Sequence, residues 1–423
     1  MSIHSPLPTS HSFRLLELRP HLTDSITIRL IITELHNAPS FGALAYTWEN
    51  PVSQLIDDSS NFSHTAEFHL LCDGLKIPSK GNPHSALVRL RDLDLSEYGR
   101  SVSKYLFADA ICINQEDHKE KAAQVRMMGE IFAAAEKVLG WLEPEDQRRL
   151  MFLQYTAVTA ADLWKPESYP SKLGISPLTY QHWLARVAFL YRPFFERIWI
   201  NQEMVAAKEI FLICGTRVPW ATAFAALSFL AHSAWFLLLH TDQVSVANVV
   251  PENMPVYRRV IKARIPAGQS AWHLLRVRDG MIVTGKACTR PPPLLNHRYC
   301  KSKEARDRVY ALLGIARKDD RPFDTQPYLR EVGYSDFMTA QLLFTRTARS
   351  LLRSWEGLSS LSHKEGSFAT ELSGLPSWVS TILSNKLAAD PVEAGVDNMT
   401  YFWSSLEGVA NELPMPYPIS ELQ

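Results

Sequence analysis

Between residues 106 and 142 the chain passes from an apolar run, through a polar loop, into an amphipathic stretch and back to an apolar run. Residues 106–113 are apolar and partly alternating, a pattern that predicts a short strand. Asn114 and Gln115 end it. Asp117 then stands where a helix N-cap belongs, with Glu120 three residues later in the capping-box position. Val125, Met128, Ile131, Phe132 and Ala135 recur on one helical face, and residues 137–142 form a second apolar run that stops at Pro144. The order and length fit a parallel strand–helix–strand crossover. Asp109, Asn114 and Gln115 would then lie near the carboxyl end of a strand, the edge at which open α/β sheets bind ligands.

The same patterning extends in both directions. Residues 13–32 alternate around Pro20 and predict two strands of an opening hairpin. Residues 41–48 (FGALAYTW) read as a buried strand, and residues 51–69 as a Ser/Asp/Asn-rich loop. Asp73-Gly74 between apolar residues marks a tight hairpin over residues 70–77. A helix over 79–95 carries Ala86, Leu87, Leu90 and Leu93 on one side. Beyond Pro144 we expect helices over 144–161 and 179–191, separated by a Pro/Ser/Gly-rich connection. One helix over 193–207, opened by Pro193, places Trp199 and Glu203 four apart on one face. Residues 209–214 predict another buried strand. The second half is mainly helical, with amphipathic segments at 307–313 and 335–355. The latter is capped by Ser335 and carries Phe337, Ala340, Phe344, Thr347 and Leu351. The expected divisions are a hairpin over 1–40, an α/β core over 41–220, a mainly helical region over 221–384 and an irregular tail over 385–423.

Composition narrows the function classes. Lys plus Arg and Asp plus Glu balance at 44 each, so no polyanionic partner such as nucleic acid is indicated. Five scattered cysteines without CxxC spacing argue against a disulfide framework or structural zinc site, and for reduced thiols in a cytoplasmic setting. The amino terminus lacks the basic-then-apolar order of a secretory signal. Residues 218–241 contain no Asp, Glu, Lys or Arg, but polar residues spread through them favour a buried helix over a membrane span.

Neither GxGxxG nor GxxxxGK[ST] occurs, nor HExxH or GxSxG, so common dinucleotide, phosphate-loop, zinc-protease and serine-hydrolase sites are not signalled, and no metal site is expected. His118 reads as a solvated residue at a helix start. Asp109 has two readings, a carboxylate organising a site or an acceptor bracing the next loop's amides. Asn114 and Gln115 carry the same pair. Glu203, one turn beyond Trp199 among apolar neighbours, is either desolvated for chemistry or ion-paired with Arg197.

Five blocks together, ALAYTW (43–48), DAICINQ (109–115) with its helix and VLGWL, RIWINQE (197–203) with CGTRVPW, ARDRVYALLGIA (305–316) and LPSWV (375–379), resemble fungal heterokaryon-incompatibility (HET) domain proteins. Ala45 stands where that family has serine, Glu49 where it has glycine, and Phe107 where Trp is usual. HET domains are in turn similar to Toll/interleukin-1 receptor (TIR) domains. ALAYTW resembles the first TIR strand, and WINQEM (199–204) the TIR tract that bears a catalytic glutamate.

The resemblance implies a TIR-like, flavodoxin-like parallel-sheet core with helical insertions, followed by a mainly helical region. It also implies a role in non-self recognition and regulated cell death. On this reading Glu203 is the catalytic residue of an NAD glycohydrolase, with NAD as substrate and no cofactor required. Tyr46, Trp48, Asp109, Asn114, Gln115 and Trp199 line its site. The alternative is a non-catalytic module acting by self-association or by binding proteins of an incompatibility pathway.

Overall fold

The computed structural model describes residues 3–19, 25–48, 68–95, 104–143, 192–214, 216–221, 300–313, 332–334 and 337–353, with positions 223, 274, 277, 278 and 315. The expected helices over 144–161 and 179–191, most of the 218–241 segment, the LPSWV block and the tail lie outside these residues. Among the described residues no helix is long and apolar enough to cross a membrane.

Nine strands form one mixed sheet: β1 (Ser12–Leu18), β2 (Thr27–Glu34), β3 (Phe41–Ala45), β4 (Phe68–Cys72), β5 (Leu75–Ser79), β6 (Tyr105–Phe107), β7 (Lys137–Glu143), β8 (Ile210–Cys214) and β9 (Thr216–Pro219). They lie in the order β5-β4-β2-β1-β6-β3-β7-β8-β9. The parallel ladders β6–β3, β3–β7 and β7–β8 join four neighbouring strands and β2–β4 is a further parallel pair, while β1–β2, β1–β6, β4–β5 and β8–β9 are antiparallel. The expectation of a parallel sheet therefore holds for these pairs and not for the whole. β1 and β2 pair along Ser12–Leu18 as the opening alternation predicts, and β1 continues into the sheet by pairing with β6. Between β4 and β5, Asp73 and Gly74 take φ values of 47° and 85°, the left-handed pair that a two-residue hairpin requires.

The helices are α1 (Gly81–Leu95), α2 (Asp109–Cys112), α3 (His118–Ala134), α4 (Pro193–Glu196), α5 (Ile198–Val205), α6 (Asp307–Leu313) and α7 (Ala340–Arg353). The expected strand over 106–113 is corrected here, because β6 ends at Phe107 and the DAIC tetrapeptide coils into α2. Short apolar runs do not distinguish strand from buried helix. The local decision comes from Ala108, whose carbonyl accepts from the amides of Ile111 and Cys112, while Asp109 Oδ1 accepts from Ala110 N at 2.8 Å.

α3 forms as predicted. Asp117 caps it by accepting from Lys119 N and Glu120 N, and Val125, Met128, Ile131, Phe132 and Ala135 are buried. Phe132 stands edge-on to Phe107, which meets Phe13, which meets Phe41, with centroids 5.9, 6.1 and 5.6 Å apart. This chain of rings seats α3 on adjacent strands β1, β6 and β3. Glu120, however, does not close the expected capping box. Its carboxylate forms a bidentate pair with Arg14 of β1, at 2.6 and 2.9 Å, and accepts from Asn114 N at 2.7 Å. Arg14 is 1% exposed and also donates to Cys112 O at 3.1 Å and to Ser5 O. The start of α3 is thereby tied to the loop after β6 and to the neighbouring strand β1.

On the downstream side, α7 starts at Ala340, later than expected, and Phe337 is 91% exposed and not on its buried face. Phe344 and Thr347 are buried with Leu343. The Ser335 cap falls outside the described residues.

In the Arg14–Glu120 pair the side chains are 1% and 9% exposed, so removing one partner strands a largely buried charge. Arg14→Ala should cost about 3–5 kcal/mol in urea unfolding, well above a surface charge deletion. A loss below about 1 kcal/mol would show that the pair is not a brace.

Candidate functional site

The predicted helix over 193–207 is broken in two. α4 ends at Glu196, α5 begins at Ile198, and Arg197 between them is extended at φ −75°, ψ 125°. Its backbone forms a parallel bridge with Lys301: Ile198 N donates to Lys301 O at 3.0 Å, and Lys301 N donates to Glu196 O at 2.5 Å. Its side chain enters the edge of the sheet. There the guanidinium donates to Tyr46 O, meets Asp109 Oδ2 at 3.0 Å, and meets Glu203 Oε1 at 3.3 Å. Serving these acceptors and Lys301 together takes residue 197 out of helical geometry, which no local pattern announces.

Tyr46 and Trp48 follow the carboxyl end of β3, and Asp109 follows that of β6. Trp48 Nε1 lies 3.1 and 3.3 Å from the two Asp109 oxygens, and the Tyr46 hydroxyl accepts from Ala110 N at 3.2 Å. Lys80 sits over the Trp48 ring at 5.4 Å. Below this layer Asn82, at the start of α1, donates to Thr47 O and Oγ1 and accepts from Trp141 Nε1 at 2.7 Å, which joins the ends of β3 and β7. The sequence reading missed Asn82. A buried polar residue at a helix start was its only local signal.

One buried cation thus faces two carboxylates, and they are not served equally. Asp109, 8% exposed, is met by Arg197, Trp48 and the Ala110 amide. Glu203 is 2% exposed and, among the described residues, has Arg197 alone on Oε1 and no hydrogen-bond partner on Oε2. Burial pushes the Glu203 carboxyl up to about 8; Arg197 opposes the rise and the Asp109 charge adds to it. For Arg197, burial alone would favour loss of its proton, but Glu203 and Asp109 outweigh it and hold the guanidinium above its ordinary value. Tyr46 is raised well above its ordinary value, first by burial and then by Asp109.

The remaining predicted residues are placed elsewhere or brace the site indirectly. Gln115 Nε2 donates to Asp109 O at 3.0 Å, so it supports the Asp109 backbone. Asn114 serves its own loop, with its amide on Glu120 and its Oδ1 accepting from Glu116 N at 3.2 Å. Trp199 shares α5 with Glu203 but is engaged by α6. Its Nε1 donates to Asp307 Oδ2 of α6 at 3.0 Å, and Tyr334 donates to Asp307 Oδ1 at 2.7 Å. His118 is exposed at the start of α3. Cys72, Cys112, Cys214 and Cys300 are buried thiols outside any disulfide, and burial pushes Cys112 up to about 12, which leaves it unreactive. Among the described residues no group of three or more His, Cys, Asp or Glu side chains is arranged to hold a metal.

The raised Glu203 carboxyl gives stability a definite pH dependence. The folded chain retains this proton between the ordinary 4.5 and about 8, where the unfolded chain releases it, so the contribution of Glu203 falls as pH rises through that window. Glu203→Gln should flatten the decline, which approaches about 1.4 kcal/mol per pH unit for one proton, in denaturation curves measured from pH 5 to 8. An unchanged pH profile would show that the carboxyl titrates normally.

Residues 41–203 match the family described as heterokaryon incompatibility protein (HET), a span that opens at β3 and closes on Glu203. The chain is also 25% identical over 424 residues to heterokaryon incompatibility protein 6, OR allele, of Neurospora crassa. That similarity covers 88% of this chain and 58% of the length of the relative. No solved structure matches the chain. ALAYTW, DAICINQ with its helix and VLGWL, and RIWINQE fall inside the matched span while CGTRVPW lies beyond it, so the Tyr46–Asp109–Arg197–Glu203 cluster is built within the part of the chain that is similar to HET proteins.

Proposed function

We propose that this chain acts in fungal non-self recognition and regulated cell death, and that its HET domain works by TIR-like cleavage of NAD at Glu203. The biological part draws on the family match and on the name of the Neurospora relative. The chemical part is carried by one observation: a carboxylate 2% exposed, at the carboxyl edge of the central strands, keeps one oxygen free of any hydrogen bond. Buried carboxylate oxygens are ordinarily satisfied, and an orphan at a ligand edge is a candidate for work on a bound molecule.

Strand order supports the same reading. Taken by themselves, the parallel strands β3, β6, β7 and β8 run β6-β3-β7-β8, which is 2-1-3-4 in chain order, the order of flavodoxin-like sheets. In such sheets ligands bind where the order reverses, here at the ends of β3 and β7, where Tyr46 and Trp48 leave β3.

Cleavage at this site breaks the bond between nicotinamide and the ribose carbon. Nicotinamide leaves with the bonding pair, and water adds to the oxocarbenium-like carbon and loses a proton. A fixed carboxylate stabilises the positive charge that develops on the ribose. In the closed arrangement Glu203 holds its proton near neutrality, and the positive ring of NAD beside it would draw out the carboxylate form. Trp48 and Tyr46 supply flat faces at the same edge.

A second reading, a non-catalytic module acting by self-association or partner binding, is favoured by a different observation: Arg197 already occupies Glu203 and binds it to Asp109, so the carboxylate can serve the framework alone. The two separate in one assay. Purified protein incubated with NAD should release nicotinamide, faster as pH rises towards 8, and Glu203→Gln should lower the rate by about 10²–10³-fold. No release from protein in its self-associated form, or equal release from the variant, would sink the enzymatic reading in favour of the second.

A further inference from the structure

The helix that carries Glu203 is held from outside the HET-matched span. Arg197 bridges Lys301 through its backbone, with two main-chain hydrogen bonds spanning the break between α4 and α5. Lys301 Nζ adds an ion pair to Glu196 Oε2 at 2.7 Å. Trp199 donates to Asp307, and Asn201 Nδ2 lies 3.5 Å from Cys300 Sγ. Gln202, with its amide turned to satisfy both groups, donates to Ala311 O at 3.1 Å and accepts from Gly129 N at 2.9 Å. Four positions of this short stretch, 197, 199, 201 and 202, are therefore gripped by residues 300–313, about a hundred residues further along the chain.

The grip closes the site. Glu203 is 2% exposed, Arg197 meets its Oε1 at 3.3 Å, and Arg197 is pinned at its backbone by Lys301. At that exposure a sugar reaches Glu203 only after a neighbouring segment moves, and the 197–199 segment carries the side chain paired with it. What holds that segment is the Lys301 bridge and the Asp307–Trp199 hydrogen bond. We propose that residues 300–313 are an internal latch, in which Lys301 and Asp307 are positioning residues that hold Arg197 over Glu203 and keep the carboxylate closed. This rests on the reading of Glu203 as the working group. The latch is reachable from outside: the Lys301 side chain is 59% exposed in its pair with Glu196, and Tyr334, the second donor to Asp307, is flanked by Lys121 and Arg306 at 4.9 and 5.4 Å from its ring. A partner that engages the downstream region thus has a direct mechanical route to the site.

Carboxyl footprinting of the full chain tests the latch without relying on activity. Carbodiimide with glycine ethyl ester modifies accessible carboxylates, and mass spectrometry locates the products. Asp307→Ala should raise modification of Glu203 by about tenfold, a coupling of ordinary size, while Glu120, buried with Arg14, stays protected. Trp199→Phe removes the donated N–H together with part of the ring and should act in the same direction, which keeps the test alive if Asp307→Ala does not fold. Unchanged Glu203 labelling, or equal increases at Glu203 and Glu120 as in general loosening, overturns the latch. Nicotinamide release followed in parallel separates the two ideas: exposed Glu203 without release supports the latch and sinks the NAD reading.

Discussion

The guanidinium of Arg197 is the constraint on which this domain edge depends. A buried cation needs anionic or carbonyl partners on several sides, and here they come from three places in the chain: Tyr46 after β3, Asp109 after β6, and Glu203 on α5. Because one charge is shared between two carboxylates, the cluster carries an excess of negative charge in a poorly solvated place. The system resolves it unevenly. Asp109 gathers the additional donors, and Glu203 keeps a raised proton affinity and an orphan oxygen. That imbalance is why the same geometry reads both as a framework tie and as a chemically poised group.

Around this cluster the structure spends much of its packing on fixing α5. Gly129 of α3 allows the close approach, since a Cβ there would lie 2.8 Å from the Gln202 side-chain amide. At the other end Arg278 donates to the carbonyls of Met204 and Ala207 at 2.7 Å each, so a guanidinium closes the helix terminus where unpaired carbonyls would otherwise be buried. An eight-residue helix gains little from its own hydrogen bonds and takes its position from such tertiary contacts. The position of Glu203 is consequently a property of the whole assembly of α3, α5 and α6, although the family match ends at that residue.

The other fixed point is the Arg14–Glu120 pair. It ties β1 to the loop after β6 and to the start of α3, and Gln124 Nε2, donating to Ser12 O at 2.8 Å, fixes α3 against the same strand. Asp109 inherits this rigidity, since Gln115 and the Ala110 amide hold it within the braced loop.

What the sequence determined by itself is the set of elements whose pattern is local. The Asp117 cap and apolar face of α3, the Asp73-Gly74 hairpin, the alternation of β1 and β2 and the buried runs of β3, β7 and β8 all follow from period and capping chemistry. Of the site, the carboxylates Asp109 and Glu203 and the aromatic pair Tyr46 and Trp48 were legible as residue types in motifs. Tertiary structure alone decided the rest. It broke the 193–207 helix at Arg197, sent Glu120 to Arg14, and turned Trp199 to Asp307. Each of these hinges on a partner about a hundred residues away, and a hydrogen bond or ion pair over such a separation leaves no periodic trace in the chain. Asn82, Lys301 and Asp307 were invisible for the same reason: their roles reside in the acceptors and donors that folding brings to them.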